Sequence, residues 1–398
     1  PPEATHRAAK SGGPTADLAG RIFDGERRQE SVALIDEADR VRGVCVPGDI
    51  PSDASRIALR EGLIVPGYVD LQVNGGGGVM FYDSPDVATL KTVAAANARV
   101  GATSILPTLI TNTPENTAAA IEAAVEACAA GLPGIAGLHL EGPHLSIARK
   151  GAHDPKLIRP MTEDDMSALI AASKRLPVLK VTIAPESVST DQMRQLSEAG
   201  VFLSLGHTDC SFAEVQAAAE AGAVCVTHLF NAMSQLANRE PGVVGGALRT
   251  GTLSAGLIAD LIHVHPASIK TALAAKEGPG RILLVSDAMA KAGSDITEFE
   301  LNGRTIKRAE GRLTLQDGTL AGADLDLTTA VRNITGLGVA LETALAMATS
   351  VPADLVGLAD GQGRLSAEGP ADFLHLSDDL TLNAVWQRGE HLPQSAAS

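Results

Sequence analysis

The chain has 398 residues, 32 basic against 47 acidic, and a formal net charge of −15. That balance argues against nucleic acid and anionic membranes as partners, because their phosphates need clustered Lys and Arg. It leaves room for a small phosphorylated substrate, which one local Arg can hold, while seven Phe, two Tyr and one Trp are too few to stack long glycans.

The opening stretch, PPEATHRAAKSGGPTADLAG, lacks the apolar core of a secretory signal. No run approaches the ~20 apolar residues of a membrane helix. Cys45, Cys128, Cys210 and Cys225 are widely spaced, with no C-x-x-C pair. Reduced buried thiols and a cytoplasmic location are therefore expected.

From Leu63 onward, short apolar β-branched runs alternate with Ala-rich amphipathic segments. The runs are LIVPGYVDLQVN, TSILPTLI, IAGLHLEG, LKVTIAPE, VFLSLGH, AVCVTHLFN, SAGLIADLIH and RILLVSDAM. They read as eight buried parallel strands. Segments between them, such as PENTAAAIEAAVEACAAG and SFAEVQAAAEAG, read as helices that stop at Gly. Eight such units predict an α/β fold, a (β/α)₈ TIM-like barrel. The alternative is an open doubly wound sheet, but Asn74–Gly78 fails G-x-G-x-x-G because Met80 holds the last position. Asn302-Gly303 and Asp317-Gly318 are turn pairs, so a β-hairpin insert is expected near 296–320. Two helical patterns follow, then strands. The predicted division is 1–62 and 361–398 as two parts of a small β-sandwich domain, with the barrel over 63–360.

Residues that react in such barrels cluster where strands end. Four strand endings carry an acid or a histidine in an otherwise apolar setting: Glu141, His207, His228 and Asp287. Singly, each has an ordinary reading as a hydrogen-bonded core residue, a helix cap or an ion-pair partner. Together, one Glu and two His supply the O, N, N ligands of a Zn²⁺ or Fe²⁺ site with an open position. A nearby Asp could then take a proton from water. His139, two residues before Glu141, points the same way along a strand. His144 and His153 lie in the following loop, and Cys210 follows His207 by three positions.

The set PGYVDLQVNG, HLEGPHLS…KGAHDP, LGHT, THLFNAM, NREPGVVGGAL and VSDAMAKAG resembles the N-acetylglucosamine-6-phosphate deacetylase family of the amidohydrolase superfamily. The resemblance runs from about Val65 to Gly322. It implies removal of acetate from the amide nitrogen of the sugar phosphate, or of another N-acetylhexosamine 6-phosphate such as the galactosamine epimer. It implies one divalent metal on Glu141, His207 and His228, with Zn²⁺ expected ahead of Fe²⁺, Co²⁺ or Mn²⁺. Asp287 matches the catalytic Asp, and His153 the His that contacts the acetamido carbonyl. Ala152, Asn231, Ala232, His263 and the loop Leu320, Ala321 and Gly322 match substrate-binding positions. Arg239 matches an Arg that reaches the phosphate of a neighbouring subunit, so a homodimer is implied. The chain departs from the pattern at Gln72-Val73-Asn74, where most amidohydrolases carry H-x-H. It departs also at Met289 and Ala323, beside the expected sugar pocket.

Overall fold

The computed structural model describes residues 13–59, 61–358 and 360–393. It divides into two compact units. One comprises Pro1–Val69, Asn97–Ser104 and Leu327–Ser398, and the other Asp70–Ala96 and Ile105–Asp326.

The first unit is built on one eight-stranded sheet drawn from both ends of the chain. Strand Leu63–Pro66 pairs antiparallel with Phe373–Leu376, in the register Leu63 to Leu376 and Pro66 to Phe373. Its face buries Ile22, Leu34, Ile64, Phe373 and Trp386, the last two rings stacked with centroids 4.7 Å apart. The run LIVPGYVDLQVN, read as a single barrel strand, is thus two strands, Leu63–Pro66 and Tyr68–Val73. The helices Leu327–Gly336, Leu341–Ala348 and Ser350–Val356 also fall in this unit. Ser350 Oγ donates to the Gly25 carbonyl at 2.6 Å. The contact division therefore comes at 69/70 and 326/327, beside the sequence-based 62/63 and 360/361.

The barrel strands follow in order as Tyr68–Val73, Ala102–Ile110, Leu138–Glu141, Leu179–Ile183, Phe202–Leu205, Ala223–Val226, Ser254–Leu257 and Ile282–Leu284. Each is hydrogen-bonded to its sequence neighbour in one parallel sheet. A parallel bridge from Val73 to Ala288 joins the last strand's end to the first. The helices between them are started by sequence-local caps. Thr162 with Asp165, Ser189 with Gln192 and Ser211 with Glu214 each form a reciprocal capping box, which satisfies two otherwise orphaned amide groups. The insert after the eighth strand is a three-stranded antiparallel meander, Glu298–Leu301, Arg304–Ala309 and Arg312–Thr314.

The barrel interior carries a chain of polar groups one step below the strand ends. The Val73 N–H donates to Thr108 Oγ1 at 3.0 Å, and the Thr108 hydroxyl donates to the Leu106 carbonyl at 3.2 Å. Thr108 Oγ1 is then an acceptor toward His139 Nδ1, 3.1 Å away. That leaves His139 Nε2 to accept from Thr182 at 2.7 Å. Thr182 accepts from Thr227 at 2.7 Å and Thr227 from Ser204 at 2.6 Å. Burial first, and the Lys180 charge second, hold His139 well below the ordinary imidazole range, so it is a neutral link. The network links six successive barrel strands, from Val73 to Thr227 just past Val226, through otherwise unsatisfiable groups.

Asp70, also buried, accepts from the Gln72 N–H at 3.1 Å and from the Ser286 N–H at 3.2 Å. Burial pushes its carboxyl up to about 7, against about 3.9 in an unfolded chain. The folded state therefore binds this proton more tightly, and stability falls as pH rises through the window from about 4 to about 7. The urea midpoint of the wild type should drop between pH 5 and pH 8, and Asp70→Asn should reduce that drop; equal drops in the two proteins would contradict the assignment.

Candidate active site

Each residue of the site sits at or just past a barrel strand. Glu141 closes Leu138–Glu141, His207 lies two residues past Leu205, His228 two past Val226, and Asp287 three past Leu284. The last three take left-handed backbone conformations, with φ of 49°, 29° and 51°. Such a conformation costs an L residue on the order of 1–3 kcal/mol. It ends the strand abruptly and coincides with side chains turned onto one buried cluster.

His207 Nε2 and His228 Nε2 are 3.1 Å apart, and Glu141 Oε1 is 3.3 Å from the first and 3.0 Å from the second. A tetrahedral site with metal–ligand arms of 2.0–2.1 Å has edges of about 3.3 Å, so the triangle is close to one face of such a site. The tautomers agree. The Arg149 carbonyl, 2.9 Å from His207 Nδ1, can only accept, so that nitrogen carries a proton, and in the neutral tautomer Nε2 presents its lone pair. Three acceptor atoms facing one another need a cation or shared protons between them. Burial pushes the Glu141 carboxyl up, but hydrogen bonds to His207 and His228 outweigh it and hold the group well below its usual range. His228 is correspondingly raised, the Glu141 contact overcoming burial. Among the described residues, Glu141, His207 and His228 are the one group whose ligand atoms meet in this way.

Asp287 joins the cluster through amides. Gln72 Nε2 lies 3.2 Å from both Glu141 Oε1 and Asp287 Oδ1, and Asn74 Nδ2 lies 2.7 Å from Asp287 Oδ1. Burial first, then the Glu141 charge, push the Asp287 carboxyl upward. On the other side, His153 Nε2 is 4.0 Å from Glu141 Oε2. Its Nδ1 faces the Thr111 N–H at 3.3 Å and the Thr111 hydroxyl at 2.8 Å. The amide can only donate, so His153 carries its proton on Nε2, toward the cluster. Gly151 (φ 53°) lies against His207 instead, where a Cβ would come within 3.1 Å of Cε1.

Glu141, His207, His228, Asp287, His153 and Asn74 line one cavity of about 590 Å³, together with Ala152, Asn231, Ala232, His263, Leu320, Ala321 and Gly322. Asp260 takes two backbone N–H groups on Oδ1, at 2.9 and 2.8 Å, and His263 Nδ1 on Oδ2 at 2.6 Å. His263 is thereby oriented. Arg239 is exposed and outside this lining. His139 belongs to the barrel network, and His144 turns to the Arg159 carbonyl at 3.1 Å. The Cys210 thiol is buried and pushed up to about 12 by that burial, apart from the cluster. Sequence reasoning singled out neither Thr111, Asp260 nor Arg149. It saw Gln72 and Asn74 only as missing ligands; their period-two spacing with Asp70 was the available signal that all three face inward.

The amidohydrolase family model matches residues 63–391. A Shewanella sp. (strain ANA-3) relative named N-acetylgalactosamine-6-phosphate deacetylase is 41% identical, over 86% of each chain. A Haemophilus influenzae relative named N-acetylglucosamine-6-phosphate deacetylase is 32% identical over 83% of this chain and 87% of its own. The crystal structure of the Pasteurella multocida N-acetylglucosamine-6-phosphate deacetylase superposes with a TM-score of 0.90 at 30% identity, covering 95% of this chain and 99% of that one. The chain belongs to the amidohydrolase family.

The Glu141 contact favours a proton on His228 despite its burial, and a metal on this donor set must displace any proton it shares. Zn²⁺ added to chelated protein at neutral pH should release on the order of one proton per chain, and affinity should weaken as pH falls. A weakly buffered indicator assay that shows tight binding without acidification would contradict this.

Proposed function

We propose that this amidohydrolase cleaves the acetamido group of N-acetyl-D-glucosamine 6-phosphate, giving D-glucosamine 6-phosphate and acetate. The observation that carries the proposal is the convergence of Glu141, His207, His228, Asp287 and His153 on one cavity. Its walls also include Ala152, Asn231, Ala232, His263 and Leu320–Gly322.

Glu141, His207 and His228 would hold one divalent cation, Zn²⁺ by donor set, with Fe²⁺, Co²⁺ and Mn²⁺ as alternatives. A cation bound there lowers the pKa of water to about 7 and draws charge from a carbonyl oxygen. Asp287 accepts a proton from the attacking water as its oxygen bonds to the acetyl carbon. The same carboxyl returns that proton to the nitrogen as the C–N bond breaks, acting as base and then acid. His153 presents Nε2–H to the carbonyl oxygen, where a preorganised donor helps most as negative charge develops. Asn231 and Ala232 would meet the phosphate. Arg239 would reach the phosphate in the neighbouring subunit's site of a homodimer, which agrees with its exposure. Holding the phosphate places the amide at the reacting groups. The cytosol is the compartment that fits the four free cysteines. No helix among the described residues is long and apolar enough to cross a membrane.

A second reading, the galactosamine epimer as substrate, is supported by the 41%-identical Shewanella relative. Met289, which lines the cavity, departs from the glucosamine pattern and fits that reading as well. Kinetics on the two sugar phosphates side by side separate the two; a kcat/KM at least tenfold higher for the galactosamine substrate would replace the first reading. Asp287→Asn should keep its metal and lose turnover by about 10²–10⁴-fold, and near-normal turnover in that variant would remove the acid–base role. Arg239→Ala should raise KM for the sugar phosphate chiefly, as read by steady-state kinetics.

A further inference from the structure

The two amides that stand where a second pair of ligands could be are aimed at a carboxylate instead. Asp287 Oδ1 lies 2.7 Å from Asn74 Nδ2 and 3.2 Å from Gln72 Nε2. The Gln72 amide nitrogen spends its other hydrogen on Glu141 Oε1, at 3.2 Å. The orientation of both amides follows from their surroundings, because carboxylates accept and only the NH₂ end of an amide can donate to them. Both side chains are buried, at 0% and 2% exposure, so water does not substitute for these donors. Asn74 is itself pinned to the same strand end, its N–H donating to the Ala288 carbonyl at 2.8 Å. Asp287 Oδ2 has no hydrogen-bond partner among the described residues, and Asp287 lines the cavity.

We infer that Asn74, helped by Gln72, is a positioning residue that saturates Oδ1 of Asp287 and so assigns proton transfer to Oδ2. A carboxylate with two equivalent oxygens can rotate and offer either. Here rotation would break two hydrogen bonds in a buried site, where a lost bond leaves a donor unsatisfied. Oδ2 therefore stays toward the cavity through both proton steps. The inference rests on the reading of Asp287 as the proton carrier. It goes beyond that reading in giving Asn74 a task other than metal binding or sugar contact. A misplacement of about 1 Å in a reacting group can cost on the order of 10²-fold in rate.

The test compares Asn74→Leu, near in size but without a donor, with wild type and with Asp287→Asn. Four quantities are read: kcat, KM, metal per chain and the thermal unfolding midpoint. The expected result for Asn74→Leu is a kcat about 10²-fold lower, with KM within a few-fold, metal content unchanged and folding intact. A merely structural role would move the midpoint or the metal content rather than kcat alone. If Asn74→Leu folds poorly or loses metal, Asn74→Asp, which keeps size and polarity but replaces the N–H donor, is read in its place. Wild-type kcat in whichever variant folds and keeps metal, beside an inactive Asp287→Asn, overturns the inference and leaves the parent reading standing. A raised KM with unchanged kcat also overturns it, since Asn74 would then be contacting sugar. Turnover retained in Asp287→Asn would instead sink the reading on which the inference depends.

Discussion

Glu141 is a carboxylate at 3% exposure, and a buried charge without compensation costs far more than a small domain's net stability. The compensation available to it is specific. Oε1 faces two histidine Nε2 atoms and the Gln72 amide, and Oε2 lies toward His153. Much of the barrel mouth follows from that requirement. Three strand ends bend into left-handed backbone to complete the cluster. Below it, the hydroxyls of Thr108, Thr182, Thr227 and Ser204 run through His139. That network fixes strands whose ends carry Glu141, His207 and His228, so the polar groups inside the barrel are part of the cluster's scaffold.

The barrel was legible because its strands are short apolar runs bounded by polar strand ends, and four of the helices between them open on Thr113, Thr162, Ser189 and Ser211. Glu141, His207, His228 and Asp287 stood out for the same reason: a polar residue after an apolar run marks the mouth. What the sequence could not supply was partnership at long range. Leu63–Pro66 is as apolar as the barrel strand after it, but its hydrogen-bond partner lies some 310 residues later at Phe373–Leu376. The two loop histidines were equally ambiguous. Only folding separates His144, turned to Arg159, from His153, turned by Thr111 toward the cluster. The left-handed turns at His207, His228 and Asp287 were invisible too, since none is Gly or Asn.

Gln72 and Asn74 show how a substitution pattern can mislead when read as loss. Neutral amides are poor ligands for a tightly held ion, which fits a single metal. As donors, though, they suit a site that packs two carboxylates, Glu141 and Asp287, close together. An amide between two acids supplies one hydrogen to each, where a neutral imidazole would supply only one. Most of the motifs that carry the family resemblance meet in one cavity, and the hydrogen bonds there make the two amides donors to its carboxylates.

In the proposed mechanism, Glu141, His207 and His228 hold one metal on which turnover depends. The most direct measurement strips the protein with a chelator, then titrates Zn²⁺ back while counting bound metal and acetate released from N-acetylglucosamine 6-phosphate. The account predicts no turnover in the stripped protein, with activity rising in proportion to occupancy and levelling at about one metal per chain. Full turnover without metal, or activity that appears only after a second equivalent binds, would contradict it.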